Sequence, residues 1–180
     1  MLTRNLTLSL FTLLALTACG GPAENGPPDV PASADAQKIA LAKDPGAALS
    51  VVKAKAAGPA KEVTLEGRIY DIEKGYTLFR VMDVAMDYCG EINKEDNCKT
   101  PWDFCCDTKD DIAANSLLVE ARGADGKPLK SPSLPGCRLL DKVKITGELI
   151  KDDHGNLVLL AAGIFRVARP QAPDYVIWPE

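Results

Sequence analysis

The sequence predicts an all-β fold with minor α content: a small five-stranded antiparallel barrel carrying a long cysteine-rich loop and short N-terminal helical segments. Three observations lead to this class. Five segments beyond residue 61 carry strand periodicity and are separated by turn residues or irregular connections. Glycine stands inside the first and fourth of these segments, as Gly67 and Gly147, where it permits the tight coiling that closure of a small barrel demands. A chain of 180 residues with 46% apolar and 26% charged side chains also has room for one hydrophobic core and little more.

The chain opens with Arg4, an apolar run over residues 6–16 and the small-residue stretch Ala18-Cys19-Gly20. This is the order of a secretory signal, and its run of 11 residues falls well short of the roughly 20 that a spanning helix needs. Leu16-Thr17-Ala18-Cys19 resembles the lipobox of bacterial lipoproteins. That resemblance implies a signal peptide over 1–18, lipidation of Cys19 with palmitate-type acyl groups, and stable membrane anchoring through two or more chains. Gly20 after the cysteine implies sorting to the outer membrane, facing the periplasm, so the cell envelope is the expected location. Loss of the signal leaves 20 basic against 25 acidic residues, which gives no positive field for a polyanion; nucleic acid is not an expected partner.

Residues 19–34 hold four prolines, with three glycines in the 15 positions after Cys19, and Val30 as the only large apolar side chain, the composition of a flexible tether. Residues 35–61 form a lead-in. Its alanine-rich stretches, broken at Asp44-Pro45-Gly46 and stopped at Gly58-Pro59, predict two short helices over 35–43 and 47–57. The barrel follows over 62–169. Val63, Leu65, Gly67 and Ile69 alternate with polar neighbours in a half-buried first strand, and Glu73-Lys74-Gly75 makes the hairpin turn. Residues 76–86 are apolar on both faces and predict a strand buried on both, with Asp83 interrupting its end. Leu117, Val119 and Ala121 face one side of a third strand over 116–122. Val143, Ile145, Gly147 and Leu149 form the fourth, and the turn at 152–156 leads to an apolar fifth over 157–167. The tail, 170–180, carries three prolines and is expected to pack loosely across the outside.

Residues 142–165, a strand with internal glycine, a polar turn and an apolar last strand, resemble the OB-fold. That fold places a helix between its third and fourth strands, whereas Pro128, Pro132 and Pro135 leave room only for a turn around 138–141. The expected barrel is therefore OB-like.

Between the second and third strands runs a 29-residue connection, 87–115, with no clear period. It contains Cys89, Cys98, Cys105 and Cys106, interleaved with Tyr88, Trp102 and Phe104, and carries eight acids against three lysines over 87–111. Three readings are open. In an oxidising envelope two disulfides would each stabilise by roughly 2–4 kcal/mol; a direct Cys105–Cys106 bond is the least attractive pairing. Four thiolates could instead hold zinc or copper, although the spacing lacks paired Cys-x2-Cys knuckles. Thiol exchange is the third, disfavoured because acidic surroundings raise thiol pKa values. Trp102, Asp103 and Phe104 form a candidate recognition surface, with Trp102 and Phe104 alternatively read as a cover over the disulfides. His154, the only histidine, sits in a turn and offers no catalytic pair.

The run Cys98-Lys99-Thr100-Pro101-Trp102-Asp103-Phe104-Cys105-Cys106, with Cys89 upstream, resembles the signature of a family of uncharacterised lipoproteins from planctomycete-like bacteria, in which tyrosine usually stands at the position of Phe104. Val51-Val52-Lys53-Ala54-Lys55 and the glycine-bearing strands extend the likeness over about residues 45–167. The resemblance implies a lipoprotein with an OB-like domain, sets Cys137 outside the shared pattern, and implies no activity. The expected function is a membrane-anchored, non-catalytic binding protein without cofactor, with an envelope protein or glycan as partner. The alternative is a thiolate metal-binding or redox protein using the loop.

Overall fold

The computed structural model describes residue 26 and residues 30–91 and 95–179; the expected signal, Cys19 and most of the tether lie outside them. The elements run α1 (Ala34–Gln37), β1 (Leu49–Ser50), α2 (Val51–Ala57), β2 (Ala60–Ile72), β3 (Leu78–Met82), α3 (Lys109–Asn115), β4 (Ser116–Glu120), β5 (Lys142–Lys151) and β6 (Leu157–Ala168). The long β2 does double duty: its first part pairs with β5 and its end with β3, the two pairings meeting at Arg68. With β3 on β4, β4 on β6 and β6 on β5, five strands close into a barrel, and β1 adds a short parallel strand on β2.

The expected five-stranded OB-like barrel is present, but its pairings are not all antiparallel. β4 and β6 run parallel, Leu118 opposite Val158. Geometry requires this, because an odd number of strands cannot close into a ring with every neighbour reversed. Alternation fills the interior: Leu65 and Ile69, Phe79 and Val81, Leu117 and Val119, Val143 and Ile145, and Leu159 and Ile164 are all buried. Gly147 sits at an irregularity of the β5–β6 ladder, and Gly67 lies against Val81; both mark places where strands cross too closely for a side chain.

Several expectations change on folding. The second strand is shorter than 76–86 and is not buried on both faces: Arg80 points to solvent, and Asp83 ends the strand by turning its carboxylate to α2, accepting hydrogen bonds from the Val52 and Ala85 N–H groups at 2.9 and 3.0 Å. The lead-in forms one four-residue helix and one seven-residue helix, because residues 39–41 instead bond to Ile164 of β6. The tether is already docked at residue 30, where Val30 accepts a hydrogen bond from the Ser133 hydroxyl. Nor does the tail pack loosely. Ala172 and Val176 are buried, and the Ile177 N–H donates to the Lys99 carbonyl of the cysteine loop. As expected, a turn and not a helix precedes β5, with Leu140 in the left-handed region at φ 68°.

Candidate functional site

The cysteine loop is held against the barrel by its aromatic residues. The stretch Thr100-Pro101-Trp102-Asp103-Phe104-Cys105-Cys106 alternates inward and outward: Pro101, Trp102 and Phe104 are buried, while Asp103, Cys105 and Cys106 are exposed. Phe104 meets Tyr70 of β2 edge-on, ring centroids 5.8 Å apart, and Trp102 stacks on Trp178 of the tail at 5.1 Å. Phe104 adopts φ 49°, a left-handed conformation that costs a non-glycine residue about 1–2 kcal/mol and is offset by burial of its ring. Two of the three residues expected as a recognition surface are therefore anchors, and only Asp103 faces solvent.

At the other limb, Arg68 of β2 lies under the loop. Its Nη2 donates to Glu91 at 3.3 Å and its Nη1 to the Leu140 carbonyl at 3.4 Å. The loop then ends in α3, where the Thr108 hydroxyl accepts from the Asp111 N–H and donates to its carboxylate. The pattern Thr-x-x-Asp is a helix-start signal that periodicity alone overlooks.

These anchors bring together residues far apart in sequence. The sulfurs of Cys89, Cys105 and Cys106 lie within 4.8 Å of one another, and so do the sulfurs of Cys89 and Cys98 and a carboxylate oxygen of Asp103. Cys89 belongs to both groups. The Cys89 and Cys106 sulfurs stand 4.0 Å apart. A disulfide requires about 2.05 Å, and all five described cysteines are free thiols. The aromatic anchors, Arg68 and the tail hold the loop against the barrel. The separation is near the edge of a tetrahedron of sulfurs about 2.3 Å from a zinc ion, which is about 3.8 Å. The cluster could hold a metal ion, with Asp103 as a further donor that the cysteine spacing did not single out.

Electrostatics around the thiols is unfavourable to free thiolates. Burial, followed by its neighbours Cys106 and Cys98, pushes the Cys89 thiol up. The Asp103 carboxylate, by hydrogen bond and by charge, pushes Cys105 up to about 11. Asp103 is itself oriented by the Thr100 hydroxyl at 2.7 Å and by the Cys105 N–H at 3.1 Å. Cys137 stands apart, buried, its thiol pushed up to about 12 by that burial. His154 is exposed in the β5–β6 turn, where its N–H donates to Asp152.

Fold and site together define a class: a small closed β-barrel that displays a thiol cluster on an acidic loop. Compared with protein-family models and with curated proteins, the chain finds no match.

Proposed function

We propose that this is a lipid-anchored envelope protein, sorted to the outer membrane and facing the periplasm, that acts by binding and not by catalysis, its ligand a zinc or Cu(I) ion held by thiolates. The two groups that meet at Cys89, one with Cys105 and Cys106 and one with Cys98 and Asp103, carry this reading. Thiolate donors select borderline and soft ions, and the surrounding carboxylates attract any cation. Raised thiol pKa values argue against thiol exchange, which needs a ready thiolate. The lipobox-like Leu16-Thr17-Ala18-Cys19 and the Cys98-to-Cys106 motif, similar to that of planctomycete-type lipoproteins, support the anchor.

The test is elemental analysis and thiol counting on the full chain produced with its own signal. One zinc or copper per chain is expected, lost in Cys89→Ser. Two disulfides with no stoichiometric metal would overturn the metal reading and return the loop to a rigid protein- or glycan-binding surface. Membrane association that persists in Cys19→Ser would overturn the anchor.

A further inference from the structure

The two donor groups that meet at Cys89 do not merge into one. Within each group the donor atoms lie within 4.8 Å of one another, but among the described residues Cys98 and Asp103 do not join Cys105 and Cys106 in a common set. Donors about 2.3 Å from one zinc ion stand about 3.8 Å apart. As folded, a single ion therefore reaches one group of three, and the other group stays open to a second. The Cys89 sulfur stands 4.0 Å from that of Cys106 and also meets Cys98. A thiolate sulfur has lone pairs enough to donate to two ions at once, so Cys89 can serve both groups.

The groups differ in chemistry. Cys89, Cys105 and Cys106 offer three sulfurs, which suit soft and borderline ions alike, whereas Cys89, Cys98 and Asp103 include a carboxylate, a donor that zinc accepts and that Cu(I) does not favour. Asp103 is held ready for this. The Thr100 hydroxyl donates to one of its oxygens at 2.7 Å and the Cys105 N–H to the other at 3.1 Å. Both oxygens keep lone pairs, and carboxylates that ligate metals are held by such outer hydrogen bonds. Charge favours a second cation as well. Three thiolates and one zinc ion sum to −3 + 2 = −1, and the Asp103 carboxylate beside them makes −2, so the first ion leaves the donor set anionic.

We propose that the loop holds two divalent, zinc-type cations bridged by the Cys89 thiolate, the first on Cys89, Cys105 and Cys106 and the second on Cys89, Cys98 and Asp103. The second site rests on the reading of the loop as a metal site and goes beyond it in donor set and in choice of ion. The second ion is the weaker, because it gains one thiolate of its own and shares the other with an ion already bound. The chain as produced carries the first ion, and the second enters when metal is supplied. Three protein donors leave each tetrahedral ion one position for water or an incoming ligand.

Cadmium is the probe, because its bonds to thiolate absorb in the ultraviolet and its bonds to carboxylate do not. The full chain, reduced and freed of metal with a chelator, is titrated with Cd2+. The thiolate-to-cadmium band is expected to rise steeply to one equivalent and then, less steeply, to two. Cys98→Ser should stop at one equivalent. Asp103→Asn, a change of charge at constant size, should weaken the second ion at least about tenfold and leave the first in place. A band complete at one equivalent in the parent would overturn the second site and leave the metal reading standing. So would a second equivalent that adds no thiolate absorbance, the mark of cadmium on surface carboxylates, or two equivalents retained in Cys98→Ser. No band at all would overturn the metal reading and the second site together.

Discussion

The guanidinium of Arg68 lies 4.5 Å over the ring of Tyr88, the residue before Cys89. A buried cation on the strand where two barrel pairings meet thus grips the first limb of the cysteine loop, with Glu91 completing the hold at 3.3 Å. Arg68→Ala should lose about 1–3 kcal/mol of stability, since a buried partner of charged groups disappears. Cys89 should also become faster to alkylate, because its support is gone. Thermal unfolding and timed iodoacetamide labelling check the two effects. Unchanged labelling of Cys89 would show that the loop is held by its aromatic limb alone.

Metal affinity should rise steeply with pH. The Cys89 and Cys105 thiols are both pushed above their ordinary value, so at neutral pH they are protonated, and binding must release those protons. Release of at least these two protons makes the apparent affinity grow at least about hundredfold per pH unit while the pH remains below both pKa values. Competition with a chromophoric zinc chelator between pH 6 and 8 measures this. A flat profile would mean that the ion is bound by carboxylates.

Gly147→Ala should be strongly destabilising although the change is one methyl group. An added Cβ would stand 2.0 Å from the Leu160 carbonyl oxygen and 3.2 Å from the Ala161 Cα, both backbone, so the β5–β6 ladder itself must move. The expected loss is about 1–3 kcal/mol, readable as a lower denaturant midpoint.

Acid should act in part through Asp83. Burial opposes its ionisation, but the Val52 and Ala85 N–H groups, the Ser50 hydroxyl and the Lys53 charge outweigh that and hold its carboxyl below the usual carboxylate range. A carboxyl whose native pKa is depressed contributes stability above its unfolded value, and that contribution fades as pH falls. Asp83→Asn should therefore be less stable than the parent at pH 7 by about 1 kcal/mol, with the gap narrowing below about pH 4. Melting temperatures of both proteins at pH 7 and pH 3 decide it.

Much of the barrel was legible because strand periodicity is local. The inward sets Leu65 and Ile69, Leu117 and Val119, and Val143 and Ile145 read directly from alternation and are buried as read. The second strand misled because Arg80, the one exposed position of β3, stands within an apolar run, and the tail because three prolines hide buried Ala172 and Val176. Of the site, the four loop cysteines were visible as a group, whereas Asp103 as a donor was not: no local pattern says which carboxylate a folded loop turns toward a sulfur.

The sequence by itself determined the class of fold, the glycines at the close crossings and the density of cysteines in one acidic loop, all properties of short-range pattern and composition. Tertiary structure alone decided that β4 and β6 run parallel, that Trp102 and Phe104 point inward, and that Cys89 reaches Cys106 from 17 positions away. Those outcomes depend on ring closure and on which long-range contacts bury the aromatic side chains, and neither is encoded in any single segment.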